Sequence, residues 1–174
     1  YRVSLNVNGD IQIKQFDVYK DPRLDISDAD YLEQFEFTQA VNKKVTQAHE
    51  TIIEIRRLKK QMSEFAENHS IDTILTKISE IDSMLTDIEE SLYQTKNKSN
   101  QDPLNFPIKL TNKLGHLNSL IQVGDGKPTQ QMYAVRDELI KKIDRNIFSF
   151  ERVRDNEIKE LNMLIKERID NIIK

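Results

Sequence analysis

The chain of 174 residues contains no cysteine and no tryptophan, and only four glycines and four prolines. The missing cysteine excludes disulfides and cysteine-ligated metal sites, without fixing the compartment, because a large helical core needs no staples. No apolar run approaches the roughly 20 residues that a membrane-spanning helix requires. There is no excess of positive charge: the net charge is -3, so no basic field draws the chain to nucleic-acid phosphates. Aromatics are sparse at 7%. What remains is rich in Ile, Leu, Lys, Glu and Asp, a composition of long helices. The length suits one domain, or one domain with a fragment of another.

The first twenty residues alternate instead. Val3, Leu5 and Val7 share one face, Asn8-Gly9-Asp10 reads as a turn, and Ile11 and Ile13 follow. Asn-Gly between alternating segments is a strong hairpin signal. Phe16 and Val18 fall on even positions, a flip of phase that a bulge near Lys14 or Gln15 accounts for. Two strands alone are marginal, so the hairpin is expected to be the remnant of an upstream β-domain, in a piece of a longer protein. Asp21-Pro22-Arg23 closes this unit. The expected division is residues 1–23 as the β-hairpin and 24–174 as a helical bundle.

Ser27, with Asp30 three residues on, has the spacing of a capping box and opens a helix over about 28–67. Its expected stripe is Leu32, Phe35, Val41, Val45, Ala48, Ile52, Ile55, Met62 and Phe65. Ser70 is expected to cap a second helix, whose ridge runs Ile71, Ile74, Ile78, Ile81, Leu85, Ile88, Leu92 in alternating steps of three and four, a coiled-coil-like seam. A polar loop follows over 97–102. Asn105 as cap and Pro107 in the first turn begin a third helix, with Phe106 stapled to Leu110 and an apolar face of Ile108, Leu114, Leu117 and Ile121. Gly115 interrupts that helix, and close approach of a neighbouring helix is the expected reason. After Gly124-Asp125-Gly126-Lys127-Pro128, Thr129 caps a last long helix. Its stripe is Met132, Val135, Leu139, Ile143, Ile147, Phe150, Ile158, Leu161, Ile165, Ile169 and Ile172, weakening over 152–157, where an exposed or bent segment is expected.

Lengths then select an architecture. At 1.5 Å per residue the outer helices are about 60 and 65 Å long, the inner two about 40 and 25 Å. The inner pair together matches either outer one. The fold class is therefore mainly α: an elongated antiparallel bundle of two long helices and a middle column broken at 97–106, with the hairpin at its N-terminus. A four-helix bundle is the alternative if that loop reverses the chain.

Chemistry is thinly signalled. The run from Gly124 to Thr129 is a weak likeness of a phosphate loop, but Ile121 stands where the leading glycine belongs and Pro128 displaces the hydroxyl. His49, His69 and His116 are scattered, without the spacing of converging metal ligands. Asp87 with Glu89 and Glu90 resembles a glycosidase pair by residue type only, since catalytic carboxyls face each other across a cleft. Asn68-His69-Ser70 and Asn97-Lys98-Ser99 fit the glycosylation pattern, relevant only in a eukaryotic secretory setting. No catalytic, cofactor-binding or metal-ligating residue is assigned, and no cofactor is expected. The seams could pair with another protein, although a bundle satisfies them internally.

Three stretches carry a family resemblance: YRVSLNVNGDIQIKQFDVYKDPRLDIS, QFEFTQAVNKKVTQAHETIIEIRRL and DPLNFPIKLTNKLGHLNSLIQVGDGKPTQQMYAVRDELIKKID. Together they resemble the C-terminal regions of large bacterial proteins with sortilin-like, BNR/Asp-box β-propellers, a group labelled as glycosyl hydrolases. The resemblance implies an exported parent, periplasmic or extracellular, with this piece as a non-catalytic accessory domain. Its partners would be the propeller and β-domain of the same chain. No Asp-box occurs here, so no catalytic residue carries over. The competing readings are a coiled-coil-like interaction or oligomerisation module, and a contributor of the 97–106 loop, through Asp102, to a glycosidase site completed elsewhere. Small-angle scattering is expected to show an elongated particle; a short compact one would favour the four-helix alternative.

Overall fold

The computed structural model describes residues 1–99 and 101–170, apart from the side chains of Pro103, Ile169 and Asp170. Asn100 of the expected loop, and Ile172 and the Ile169 side chain of the expected last stripe, lie outside these. Strands β1 (Arg2–Val7) and β2 (Asp10–Gln15) pair antiparallel, Val7 opposite Asp10 and Arg2 opposite Gln15. The two residues between them have positive φ, 53° at Asn8 and 93° at Gly9, as a type I′ turn demands. Pairing runs on without a bulge: the Phe16 amide donates to the Tyr1 carbonyl at 3.0 Å, and the two rings stack. The expected bulge at Lys14 or Gln15 is therefore corrected. Directly opposed residues share a face. A two-residue turn thus sets Phe16 beside Tyr1, Val3, Leu5 and Val7, while Ile11 and Ile13 project from the other face. Every residue of both strands is exposed, and among the described residues neither strand comes within 8 Å, Cα to Cα, of a helix.

Helix α1 (Asp28–Asn68) starts in the expected capping box, with the Ser27 hydroxyl and Asp30 bonded reciprocally. Helix α2 (Asp72–Leu92) runs back along it: Lys59 meets Asp82 and Thr86, and Arg56 meets Glu89. Helix α3 (Leu110–Ile121) continues in the same direction, since Asn118 bonds Asn42 and the carbonyl of Ile121 accepts from Gln34. Helix α4 (Gln130–Arg152), capped by Thr129 as expected, returns parallel to α1, with Tyr133 on Glu33 and Lys44 on Asp144. After a π-helical turn over Val153–Ile158, α5 (Lys159–Asp170) finishes the third column. The loop thus does not reverse the chain; α2 and α3 form one broken column between two long ones. An accessible surface of 12694 Å² for 20.4 kDa, against roughly 8,800 Å² for a compact chain of that mass, fits this extended form.

The α2 ridge is buried from Ile74 through Leu92 at every expected position. Ile71 is the N-cap residue and makes no side-chain cap bond, so Ser70 is not the cap. In α1 the expected Leu32 and Phe35 are 56% and 58% exposed, and Phe37 is buried in their place. Phe37 packs edge-on against Tyr133, with the Arg136 guanidinium lying over both rings, a contact supplied by α4. Ile108 and Val135 are also exposed. The third helix begins at Leu110, not Pro107, and Asn105 instead ends a short 3-10 turn over Asp102–Leu104. Phe106 accordingly lies outside the helix and half-buried.

The weak point of the last stripe is the π turn. The buried ridge steps from Phe150 to Val153 and from Val153 to Ile158. Five residues overshoot an α-helical turn, and a π turn with its i→i+5 bonds takes up the extra one. Val153 stays buried while Arg152, Asp155 and Asn156 are exposed, so the expected more exposed segment is present and takes the form of a π turn. Deleting Asp155 shortens the step to four, the α-helical value. The deletion is expected to leave helix content by circular dichroism and the melting temperature at or above those of the parent chain. A large drop would mean that the π turn is required in its own right. A Cβ added to Gly115 meets nothing within 4 Å, which overturns the close-approach expectation. Gly115→Ala should therefore stabilise the bundle, by up to about 1 kcal/mol in chemical denaturation.

Candidate functional site

The three histidines do not meet. His49 is exposed and lies edge-on to Tyr93. The His69 ring stacks on Phe65, with Nδ1 3.0 Å from the Phe65 carbonyl, at the end of α1. His116 is exposed on α3. Among the described residues no group of three or more His, Asp or Glu side chains is arranged to hold a metal ion.

The Gly124–Thr129 loop has the wrong polarity for a phosphate. A phosphate loop aims backbone N–H groups at its ligand. Here the carbonyls of Ile121, Gly124 and Gly126 converge on one donor, the Gln34 Nε2 amide, at 3.1, 3.0 and 3.3 Å. Gln34 supplies from α1 the partner that carbonyls at the end of α3 lack, and so pins the α3–α4 turn to the first column.

The carboxylates diverge as well. Asp87 is exposed, whereas the Glu89 side chain, 9% exposed, accepts from Arg56 Nε at 2.6 Å. Arg56 in turn lies over the Tyr93 ring. Asp102 is fully engaged: its carboxylate accepts from the backbone N–H of Lys98, the backbone N–H of Ser99 at 2.8 Å and the Ser99 hydroxyl at 2.7 Å. These bonds, the Lys98 amide foremost, hold its pKa below the ordinary aspartate value. A general acid at neutral pH needs the opposite, a raised pKa. The loop is thereby a self-tied structural unit, and its acid is not poised to donate a proton.

Sequence reasoning missed a polar cluster beside the π turn. Lys77 of α2 bonds Glu157, and reaches Glu160 at 3.2 Å. The hydrogen bond to Glu157, then that to Glu160, raises the Lys77 pKa. The five-residue gap in the stripe marks the place in the sequence, but the pairing needs the third dimension. Beside it, Met84, Asp87, Ser149, Arg152, Asn156 and Glu157 line an open groove of about 400 Å³. A second groove of about 410 Å³, largely apolar, lies between Leu58, Met62 and Phe65 of α1 and Leu161 and Ile165 of α5. Both are open to solvent, and the Ser149 hydroxyl of the first donates to the Arg145 carbonyl. The chain matches no family model, no curated protein and no solved structure.

Two predictions follow from the polar contacts. Arg56→Ala leaves the Glu89 carboxylate enclosed without its donor and should cost about 1–2 kcal/mol in urea unfolding; an unchanged midpoint would mean that water replaces the guanidinium. For Lys77 the folded pKa lies above the unfolded one. Its stabilising contribution is thus complete below the unfolded value of about 10.4 and disappears as pH rises through the folded pKa. With Lys77 23% exposed, the contribution is about 1 kcal/mol or less. Wild type should lose that margin over Lys77→Met as pH rises past about 10.4; an equal difference at pH 7 and at the alkaline end would contradict the assignment.

Proposed function

We propose that the chain is a non-catalytic accessory domain, a helical strut that carries a β-body at one end. The observation that supports this is the hairpin. Tyr1, Val3, Leu5, Val7 and Phe16 on one face, and Ile11 and Ile13 on the other, are all at least half exposed, and no helix covers them. A two-stranded sheet with uncovered apolar side chains on both faces lacks the layers that stabilise such an element. The bundle meanwhile buries its own α2 ridge, which favours a strut over a self-associating coiled coil. The wider setting, beside a sortilin-like BNR/Asp-box propeller of an exported bacterial protein, draws on the sequence resemblance.

Removing residues 1–20 should leave the melting temperature of the bundle unchanged; a fall of several degrees would make the hairpin part of the bundle instead. On a glycan panel assayed with this chain and the full-length parent side by side, turnover by this chain alone would sink the non-catalytic reading. Turnover by the parent only is the outcome expected of an accessory domain.

A further inference from the structure

Asn8-Gly9 is the one Asn-Gly step in the sequence. We propose that Asn8 is a site of spontaneous backbone modification, converting to aspartate and isoaspartate through a cyclic imide. The attacking atom is the Gly9 nitrogen, and glycine brings no side chain to hinder its approach to Asn8 Cγ. The Gly9 N–Cγ bond forms, the Cγ–Nδ2 bond breaks, and Nδ2 leaves as ammonia with the Gly9 amide proton. Solvent water then opens the imide at either carbonyl. One opening gives aspartate. The other gives isoaspartate, which routes the main chain through the side-chain carbon and adds a methylene to it.

Two features of the hairpin set the rate. Asn8 and Gly9 are exposed, and neither flanking strand comes within 8 Å, Cα to Cα, of a described helix, so water and hydroxide reach the tip. Against this, the Gly9 N–H donates to Asn6 Oδ1 at 3.0 Å, and Asn8 is held in the left-handed region. That N–H must be released, and the turn must unwind, before the nitrogen can swing onto Cγ. The paired hairpin therefore protects Asn8, and conversion proceeds from the opened form. Lone two-stranded hairpins open readily. Isoaspartate lengthens the turn and disrupts the Val7–Asp10 pairing, and either product places a new negative charge near Asp10. The tip thus records, irreversibly, the time the hairpin has spent open. This inference does not depend on the accessory-domain reading.

The test is incubation of the intact 174-residue chain in mildly alkaline buffer, beside its Asn6→Ala variant. Peptide mapping by mass spectrometry follows Asn-to-Asp conversion, and electron-transfer fragmentation separates isoaspartate from aspartate. Asn97, exposed and followed by lysine, is the internal reference. Asn8 is expected to convert well ahead of Asn97, to both products, and several-fold faster in Asn6→Ala. Conversion of Asn8 no faster than Asn97 would overturn the site. An unchanged rate in Asn6→Ala would overturn the gating by the Gly9 hydrogen bond.

Discussion

The bundle depends on one ridge. Ile74, Ile78, Ile81, Leu85, Ile88 and Leu92 of α2 are all buried, and α2 packs against α1 on one side and against α4, the π turn and α5 on the other. In this half of the molecule, among the described residues, α2 approaches both long columns more closely than they approach each other: α1 and α5 do not come within 8 Å, Cα to Cα, and face each other across a groove. Full burial of a ridge residue is worth roughly 1.5–3 kcal/mol. The π turn belongs to the same constraint. It keeps Ile158, Leu161 and Ile165 facing α2 after a five-residue step, and the Lys77 contacts with Glu157 and Glu160 hold that register from the outside.

The broken middle column creates a second requirement, because helix ends inside a bundle leave orphan carbonyls and amides. These find partners outside their own helices. Thr111 donates from its hydroxyl to the Leu92 carbonyl at 2.9 Å, and Gln94 donates to the Pro107 carbonyl at 2.8 Å, so that both sides of the break are tied across it. Both side chains are buried. At the far end of α3, Gln34 does the same for the α3–α4 turn. A column in two pieces is thereby held in line by three side-chain contacts, where an unbroken helix would use its own backbone.

Much of this was legible in the sequence where a local rule is strong. The strict three-and-four spacing of α2, the Ser27–Asp30 box and the Thr129 cap each act within one turn of helix, and each stands as expected. The misreadings share a different cause. On α1, Leu32, Phe35 and Phe37 are comparable candidates by hydrophobicity. The choice of Phe37 is made by Tyr133 and Arg136, a hundred residues away, which no periodicity in α1 can report. Pro107 is compatible with a first helical turn, but Gln94 takes its carbonyl, and the chain stays non-helical until Leu110. Each strand's phase, taken alone, points to a bulge in the hairpin. Once a two-residue turn sets Val7 against Asp10, even positions of β2 lie with odd positions of β1, and Phe16 needs no irregularity.

Function was less legible because several polar side chains that look chemical are already used structurally. Asp102 closes its own loop, Glu89 holds Arg56, and Gln34 and Thr111 satisfy helix ends. A catalytic group must keep a lone pair or proton available to substrate, and these have partners within the chain. The hairpin leaves apolar side chains uncovered on both faces, with one row from β1 on one face and a second row from β2 on the other. A single helix laid against the hairpin covers one row and leaves the other wet. Covering both requires a layer on each face, with further strands along the open edges, and that requirement favours a β-body over another helical column as the hairpin's partner.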